Sequence, residues 1–507
     1  MSRERPNILL ITSDQQHYST LGAVNDRIRT PALDRLGREG VRFTRAYCPN
    51  PTCTPTRASV VTGMYPSQHG AWSLGTKLFE DVPTLGAMLQ KAGYATALIG
   101  KAHFQPLASK PGMESLECHP TLRDLDFWRG FHGPWYGFQH VEVARMHGCE
   151  HLVGQHYALW MERSGLKNWR DYFEDWPPNP AKAKRLRGNR RWALPEEFHY
   201  TRWTGERTAA RIEESSKEDK PFFIWSSFHD PHPPYLVPAP WADMYDPADM
   251  IPGRLTPGEH DANPIHFRKT QEDDPLFWER ARKGEAIHGG CSHLHDEEKL
   301  KKDIACYYGM VTFMDREIGG ILDALDRSGL AEDTLVVFST DHGHFLGQHG
   351  LIAKAVHHYE DLLRVPFIVR WPGRAPGGVV SDAIQNLVDL APTFLCAAGI
   401  PVPGAMTGVN ELDTWCGGAP ARNGTIVENH HGTTCFHMRT YVRPRYKITV
   451  HRDGEDGEVF DLLEDPAEVR NLWHRPDARD LKCRMLHEFM QATLREEPMR
   501  MPRIAGA

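Results

Sequence analysis

The 507-residue sequence contains no apolar run long enough to cross a bilayer, which excludes a membrane-spanning helix on length alone. Long basic runs are also missing. With charges of both signs mixed along the chain and a formal net charge of -7, neither phosphate backbones nor anionic membranes are expected as partners. Closely paired cysteines are absent too, since the ten that exist are scattered, a usage that fits reduced thiols better than a disulfide framework. The apolar stretch Ile8 to Ile11 is too short for the core of a secretory signal, so a soluble, cytoplasmic protein is the expectation. Asn423-Gly424-Thr425 matches a glycosylation sequon, which carries no meaning in that compartment. There is no internal repeat and no low-complexity tract.

The chain is long enough for one large domain and a smaller one. Asn7 to Thr12 reads as a short buried strand, Pro31 opens a helix that ends near Gly40, and Val41 to Tyr47 reads as the next strand. A helix starting at Pro83 and Thr84 and a strand from Tyr94 to Ile99 continue the alternation. Further strands are expected at Pro221 to Phe228, Thr334 to Ser339 and Phe367 to Arg370, with a long helix from Asp296 to Gly329 and a short one from Asp389 to Ala398. Such alternation predicts an α/β fold with a large mixed, mainly parallel sheet flanked by helices. The segment from Phe104 to Lys220 lacks clear periodicity and is expected to form loops that roof a pocket. A Gly- and Pro-rich run, Gly399 to Gly424, is the best candidate linker. Beyond it, strand-like segments between Thr425 and Leu462 and a helix over Leu481 to Arg495 predict a small antiparallel sheet with a helical cover. The expected division is a catalytic domain over 1–415 and a smaller α+β domain over 416–507.

Candidate functional residues lie just past the predicted strand ends, where α/β sheets place their ligands. Asp14 and Gln15 follow the first strand, Lys101 and His103 the third, His229 and His232 a proline-rich turn, and Asp341 and His342 the strand at Thr334. Asp14, Gln15, Asp341 and His342 form a plausible divalent-metal set, although either pair alone could be a solvated turn. Cys53 precedes Pro55 and a helix that continues through Arg57 to Thr62 and closes at Gly63. A helix N-terminus favours an anion, and Arg57 one turn on could hold the same anion. Cys291, His293 and His295 lack a second well-spaced ligand pair, so zinc is not expected there.

The spacing Cys53-x-Pro55-x-Arg57 followed by Thr62-Gly63 resembles the signature of the formylglycine-dependent sulfatases of the alkaline phosphatase superfamily. Gly100-Lys101-Ala102-His103, the segment Gly350 to Lys354, Leu362 to Pro366 and Phe460 to Pro466 are similar to further segments of that family. The resemblance implies an alkaline-phosphatase-like fold and an arylsulfatase-like hydrolase acting on small-molecule sulfate esters. It implies that Cys53 is oxidised to formylglycine by a transient encounter with a formylglycine-generating enzyme, and that its hydrate is the nucleophile. Asp14, Gln15, Asp341 and His342, with position 53 beside them, would then hold one divalent ion, while Arg57, Lys101 and Lys354 offset charge on the transferring group. His103 would hold or deprotonate the diol, and His232 or Lys354 would protonate the leaving oxygen. Gln15 and His342 stand where many members carry Asp and Asn, which shifts the metal preference from calcium towards manganese. The same pairs resemble phosphonate monoester hydrolases, whose phosphonate monoesters and phosphodiesters are the alternative substrates. An unmodified, non-catalytic anion- or glycan-binding relative is a third reading. Nothing in the sequence fixes the natural alcohol or rules out assembly with copies of the same chain.

Overall fold

The structure is a computed structural model that describes residues 5–146, 149–175, 181–182, 191–271, 296–354, 356–431 and 436–498. Strands β1 (Asn7–Ser13), β2 (Val41–Tyr47), β3 (Ala95–Gly100), β4 (His140–Val143), β5 (Phe222–Ser227) and β6 (Thr334–Thr340) belong to the main sheet. After a small hairpin of β7 (Phe345–Leu346) and β8 (Ile352–Ala353), the sheet is completed by β9 (Arg364–Arg370), β10 (Val379–Ser381) and β11 (Gln385–Asn386). The nine-stranded sheet runs in the order β10-β2-β9-β6-β1-β5-β3-β4, with β11 pairing on β2. β9 is antiparallel to both β2 and β6, whereas the neighbours β6, β1, β5, β3 and β4 are all parallel. The mixed, mainly parallel α/β sheet is therefore present as expected.

The central strands are buried from end to end, as β1, with its run Ile8, Leu9, Leu10 and Ile11, illustrates. Parallel strands need this because helices cover both faces. Leu9 and Ile11 pack with Ile318, Ile321 and Leu325 of helix Glu297–Arg327, while Ile8 and Leu10 join a core on the opposite face with Leu85, Leu89 and Phe394. In β9 the proline at 366 cannot donate to a ladder. The register of β2 against β9 shifts between Phe43 and Ala46, which pair with Phe367 and Val365 on either side of that proline.

Two expectations need revision. The stretch from 104 to 220 supplies regular structure to the sheet: the edge strand β4 and the helix Tyr200–Ser215. The buried face of that helix includes Thr204, Gly205, Thr208 and Ser215, and Thr208 Oγ1 lies 2.8 Å from Ser226 Oγ on β5. Small polar residues make this contact, so the apolar period that announces a helix is diluted. The run from Gly399 to Gly424 is fastened to the body of the protein. Within it, Trp415 is buried, packs on Phe367 and Phe394, and donates its indole N–H to Gln385 at 2.7 Å.

A second sheet, β12 (Thr425–His431), β13 (Phe436–Val442), β14 (Tyr446–His451) and β15 (Gly457–Asp461), is antiparallel in sequential order. The helix Arg479–Arg495 covers it, Phe489 stacking on Tyr441 at 5.7 Å. Both the sheet and its cover follow the sequence expectation. Cys291, His293 and His295 lie outside the described residues. Among the described residues no helix is long and apolar enough to cross a membrane.

Candidate active site

Strand register alone brings half of the site together. Ser13 pairs with Thr340, Thr12 with both Ser339 and Ser227, and Gly100 with Ser227. Adjacent strands lie about 4.8 Å apart, so the residues that follow these ends, Asp14, Asp341 and Lys101, share one edge. Gly100 is required at its position: φ is +104°, and a Cβ there would lie 1.9 Å from the Ser227 carbonyl oxygen. Lys101 N–H donates to that same oxygen at 2.8 Å.

The nucleophile candidate arrives on the buried helix Cys53–Thr62, whose C-terminus is closed by Gly63 in the left-handed region with its N–H on Ser59 O. Its entry is shaped by Asn50, whose Oδ1 accepts from Thr52 N–H at 2.9 Å while its Nδ2 donates to Glu428 O at 2.7 Å. Cys53 Sγ then sits 3.1 Å from Lys354 Nζ, 3.3 Å from His342 Nε2, 3.8 Å from Asp14 Oδ1 and 3.9 Å from Lys101 Nζ. Lys101 also pairs directly with Asp14. All of these groups are buried.

Arg57 lies behind the carboxylates. Its Nε donates to Asp341 at 3.0 Å, its Nη2 to Asp14 at 3.2 Å, and its Nη1 to Ser227 Oγ at 2.7 Å and Lys101 O at 3.1 Å. Each guanidinium nitrogen is thus committed to the protein. Burial would raise the Asp14 carboxyl, but Lys101, His232, Arg57 and Lys354 outweigh it and hold it well below the usual range. Burial and Asp14 push the Cys53 thiol up against Lys101 and Lys354, so the unmodified side chain is a neutral thiol near pH 7.

His342 is pushed down to about 4, first by burial and also by Lys354, against the pull of Asp341 and Asp14. As a neutral ring it donates from Nδ1 to the Gly343 carbonyl at 3.0 Å, which leaves the Nε2 lone pair facing Cys53. Gln15 has φ of +60°, uncommon for a side chain of its size, and its N–H donates to Asp341 Oδ1 at 3.0 Å. Its carboxamide is buried, and neither the oxygen nor the nitrogen has a hydrogen-bond partner among the described residues. Asp14, Cys53, Asp341 and His342 each offer an atom within 4.8 Å of the others. A neutral imidazole, two carboxylates and an unpartnered carboxamide fit a divalent cation.

His103 shares this field. Burial first, then Arg145, Lys101, Arg57 and Lys354, depress its pKa well below the ordinary value, and its backbone N–H is held by Glu117 at 2.9 Å. His232 Nε2 lies 3.4 Å from Lys354 Nζ, whereas His229 turns away to the Ala144 carbonyl at 2.9 Å.

The sulfatase family model matches residues 6–400. The chain belongs to the sulfatase family. A model of the C-terminal part of N-sulphoglucosamine sulphohydrolase matches residues 347–495 of this sulfatase-family chain. It is 28% identical to an arylsulfatase of Clostridium perfringens, covering 92% of this chain and 90% of the relative. It is 27% identical to the multifunctional alkaline phosphatase superfamily protein PehA of Trinickia caryophylli, covering 92% and 91%. The phosphonate monoester hydrolase of Silicibacter pomeroyi has the same fold, with a TM-score of 0.78 at 24% identity over 98% of this chain and 96% of that one.

Several supporting residues of this sulfatase-family site escaped the sequence reading. Asp230 accepts from Tyr200 Oη and Thr201 Oγ1, each at 2.6 Å, and its carbonyl accepts from Asp14 N–H at 3.1 Å. Tyr307 Oη donates to the Gln15 carbonyl at 2.9 Å and accepts from His17 N–H at 2.8 Å. Asn50, in an Asn-Pro turn signal, and Asp230, in an Asp-Pro one, carried a local cue. Ser227 and Tyr307 carried none, because their partners lie far away in the chain.

Proposed function

We propose that the chain hydrolyses a sulfate monoester through an oxidised, hydrated residue at position 53. One observation supports this above the others: Cys53 lies at a helix N-terminus, against His342, Asp14 and the ammonium groups of Lys101 and Lys354. With Arg57, three cations face two carboxylates, Asp14 and Asp341. That surplus suits a tetrahedral anion, and a divalent ion would enlarge it.

Asp14, Gln15, Asp341 and His342 hold that ion in this reading, whether calcium or manganese. When bound, it supplies positive charge that lowers the pKa of a nearby hydroxyl. Position 53, as formylglycine hydrate, supplies the attacking hydroxyl. Lys101 and Lys354 offset charge on the nonbridging oxygens, Arg57 keeps both carboxylates in place, and His103 holds or deprotonates the hydroxyl. As the bond from sulfur to the alcohol oxygen breaks, His232 or Lys354 gives that oxygen its proton. Loss of the second hydroxyl's proton then breaks the bond from the residue-53 carbon to the sulfate oxygen, which releases sulfate and restores the aldehyde for rehydration by water.

The Gln15 and His342 pair favours a second reading, a phosphonate monoester or phosphodiester hydrolase using the same groups. Both substrates present a singly charged tetrahedral centre, so the same cations serve either. Comparing an aryl sulfate with an aryl phosphonate monoester on one preparation separates them. A higher kcat/KM for the sulfate is expected, and a much higher value for the phosphonate would replace the first reading with the second.

A further inference from the structure

Among the described groups that contact Cys53 or Lys354, His232 is partly exposed, so the alcohol part of an ester would leave past it. A cavity of about 380 Å³ opens beside that point, within the range of small-molecule sites. Its lining includes Pro233, the residue after His232, and Ala353, the residue before Lys354. The two groups that would protonate a leaving oxygen are thus the chain neighbours of two lining residues and lie 3.4 Å apart. The void that touches His232 itself, beside Trp192 and Tyr200, holds only about 10 Å³.

The chemistry of the walls decides what the larger cavity takes. Leu300, Ile304 and Ile352 line it together with Tyr235 and Tyr307. Tyr235 gives its hydroxyl to a 2.7 Å hydrogen bond with His344 Nε2, and the Tyr307 hydroxyl is committed to Gln15 and His17. The two rings pack edge to face at 6.0 Å, so they present no open cage for a quaternary ammonium group. At the rim, Lys299 and Asp303 stand one helical turn apart and contribute one charge of each sign. A charged or polyhydroxylated alcohol would find few partners among the described lining residues for the hydrogen bonds it gives up.

We infer that this cavity is the leaving-group subsite and that the preferred esters carry an uncharged apolar or aromatic alcohol, with Ile304 and Ile352 setting the preference. The inference rests on the proposed hydrolase reading of the same site. Esters built on one ethyl scaffold test it, because their leaving alcohols are all primary: 2-phenylethyl sulfate, ethyl sulfate, choline sulfate and, for a sugar, glucose 6-sulfate. The 2-phenylethyl ester is expected to exceed ethyl sulfate in kcat/KM by about tenfold or more, and choline and glucose 6-sulfates to fall below it. Ile352→Trp, on the half-buried hairpin, is expected to lower the phenylethyl-to-ethyl ratio at least several-fold. Ile352→Ala provides a smaller change with the same sign should the tryptophan variant misfold. A ratio near one in the unaltered protein, or a preference for choline or glucose 6-sulfate, overturns the assignment and leaves the sulfatase reading intact. Calorimetric titration of Cys53→Ala protein with the phenylethyl and ethyl esters reads the cavity without turnover. Tighter binding of the phenylethyl ester beside absent hydrolysis in unaltered protein keeps the subsite and removes the sulfatase reading; equal binding removes the subsite.

Discussion

Lys354 Nζ stands 3.1 Å from Cys53 Sγ across 301 positions of sequence. The lysine directly follows β8 of the small hairpin, and the buried helix Cys53–Thr62 carries the sulfur. A lysine held this close to residue 53 bears directly on the chemistry proposed there.

Cys53→Ala is expected to lower kcat by about 10⁴-fold or more, the scale of losing a nucleophile, with little change in thermal midpoint. Peptide mass spectrometry over residue 53 of active, aerobically produced protein should show an aldehyde in place of the thiol. Full activity in material whose residue 53 is entirely thiol would remove position 53 as an aldehyde nucleophile.

His232→Ala should cost about 10²- to 10⁴-fold in kcat on esters of poorly acidic alcohols, and much less on a 4-nitrophenyl ester, whose leaving group needs no proton. His229→Asn, which loses the ring contact to Ala144, should instead lower the thermal midpoint. An equal loss on both esters in His232→Ala would show that His232 does not protonate the leaving oxygen.

Gly100→Ala should be strongly destabilising, since backbone strain alone is worth about 1–3 kcal/mol and the added Cβ would meet the Ser227 carbonyl at 1.9 Å. Lys101 would be displaced with it. Denaturant titration reads the stability, and an unaltered midpoint would contradict the close approach of β3 and β5.

Stability should also fall on the alkaline side. His349 Nδ1 lies 3.0 Å from Glu259 and its Nε2 3.6 Å from Asp361. Burial opposes the imidazolium, but Asp361 and Glu259 outweigh it and raise its pKa to about 9. A raised folded pKa contributes stability that is complete below the unfolded value near 6.5 and is lost as pH rises through 9. The contribution is on the order of 3 kcal/mol. Thermal midpoints measured between pH 6 and 10 should therefore decline, and His349→Gln should decline less over the same window. Parallel curves for the two proteins would assign the loss to other groups.

The legible part of the fold was the part written in local periodicity. β1, β2, β3, β5 and β6, the helices at Pro31, Cys53 and Glu297, and the C-terminal meander each carry an apolar pattern or a cap that survives without tertiary context. Helix Tyr200–Ser215 was hidden because its buried face uses Thr204, Gly205 and Thr208. The antiparallel setting of β9 was hidden for another reason, since strand direction depends on the connection and leaves no mark on composition.

For the site, the sequence by itself determined the chemistry available: Asp14, Gln15, Lys101, His103, Asp341 and His342 past strand ends, and Cys53 and Arg57 on one helix. It could do so because a strand end and a helix cap are local events fixed within a few residues. Only the tertiary structure decided that Arg57 faces Asp14 and Asp341, that His229 meets Ala144 while His232 meets Lys354, and that Ser227, Asp230 and Tyr307 complete the surroundings. Those choices depend on the register of parallel strands, in which Ser13 of β1 pairs with Thr340 of β6, and register is settled by packing across the whole sheet rather than by any one segment.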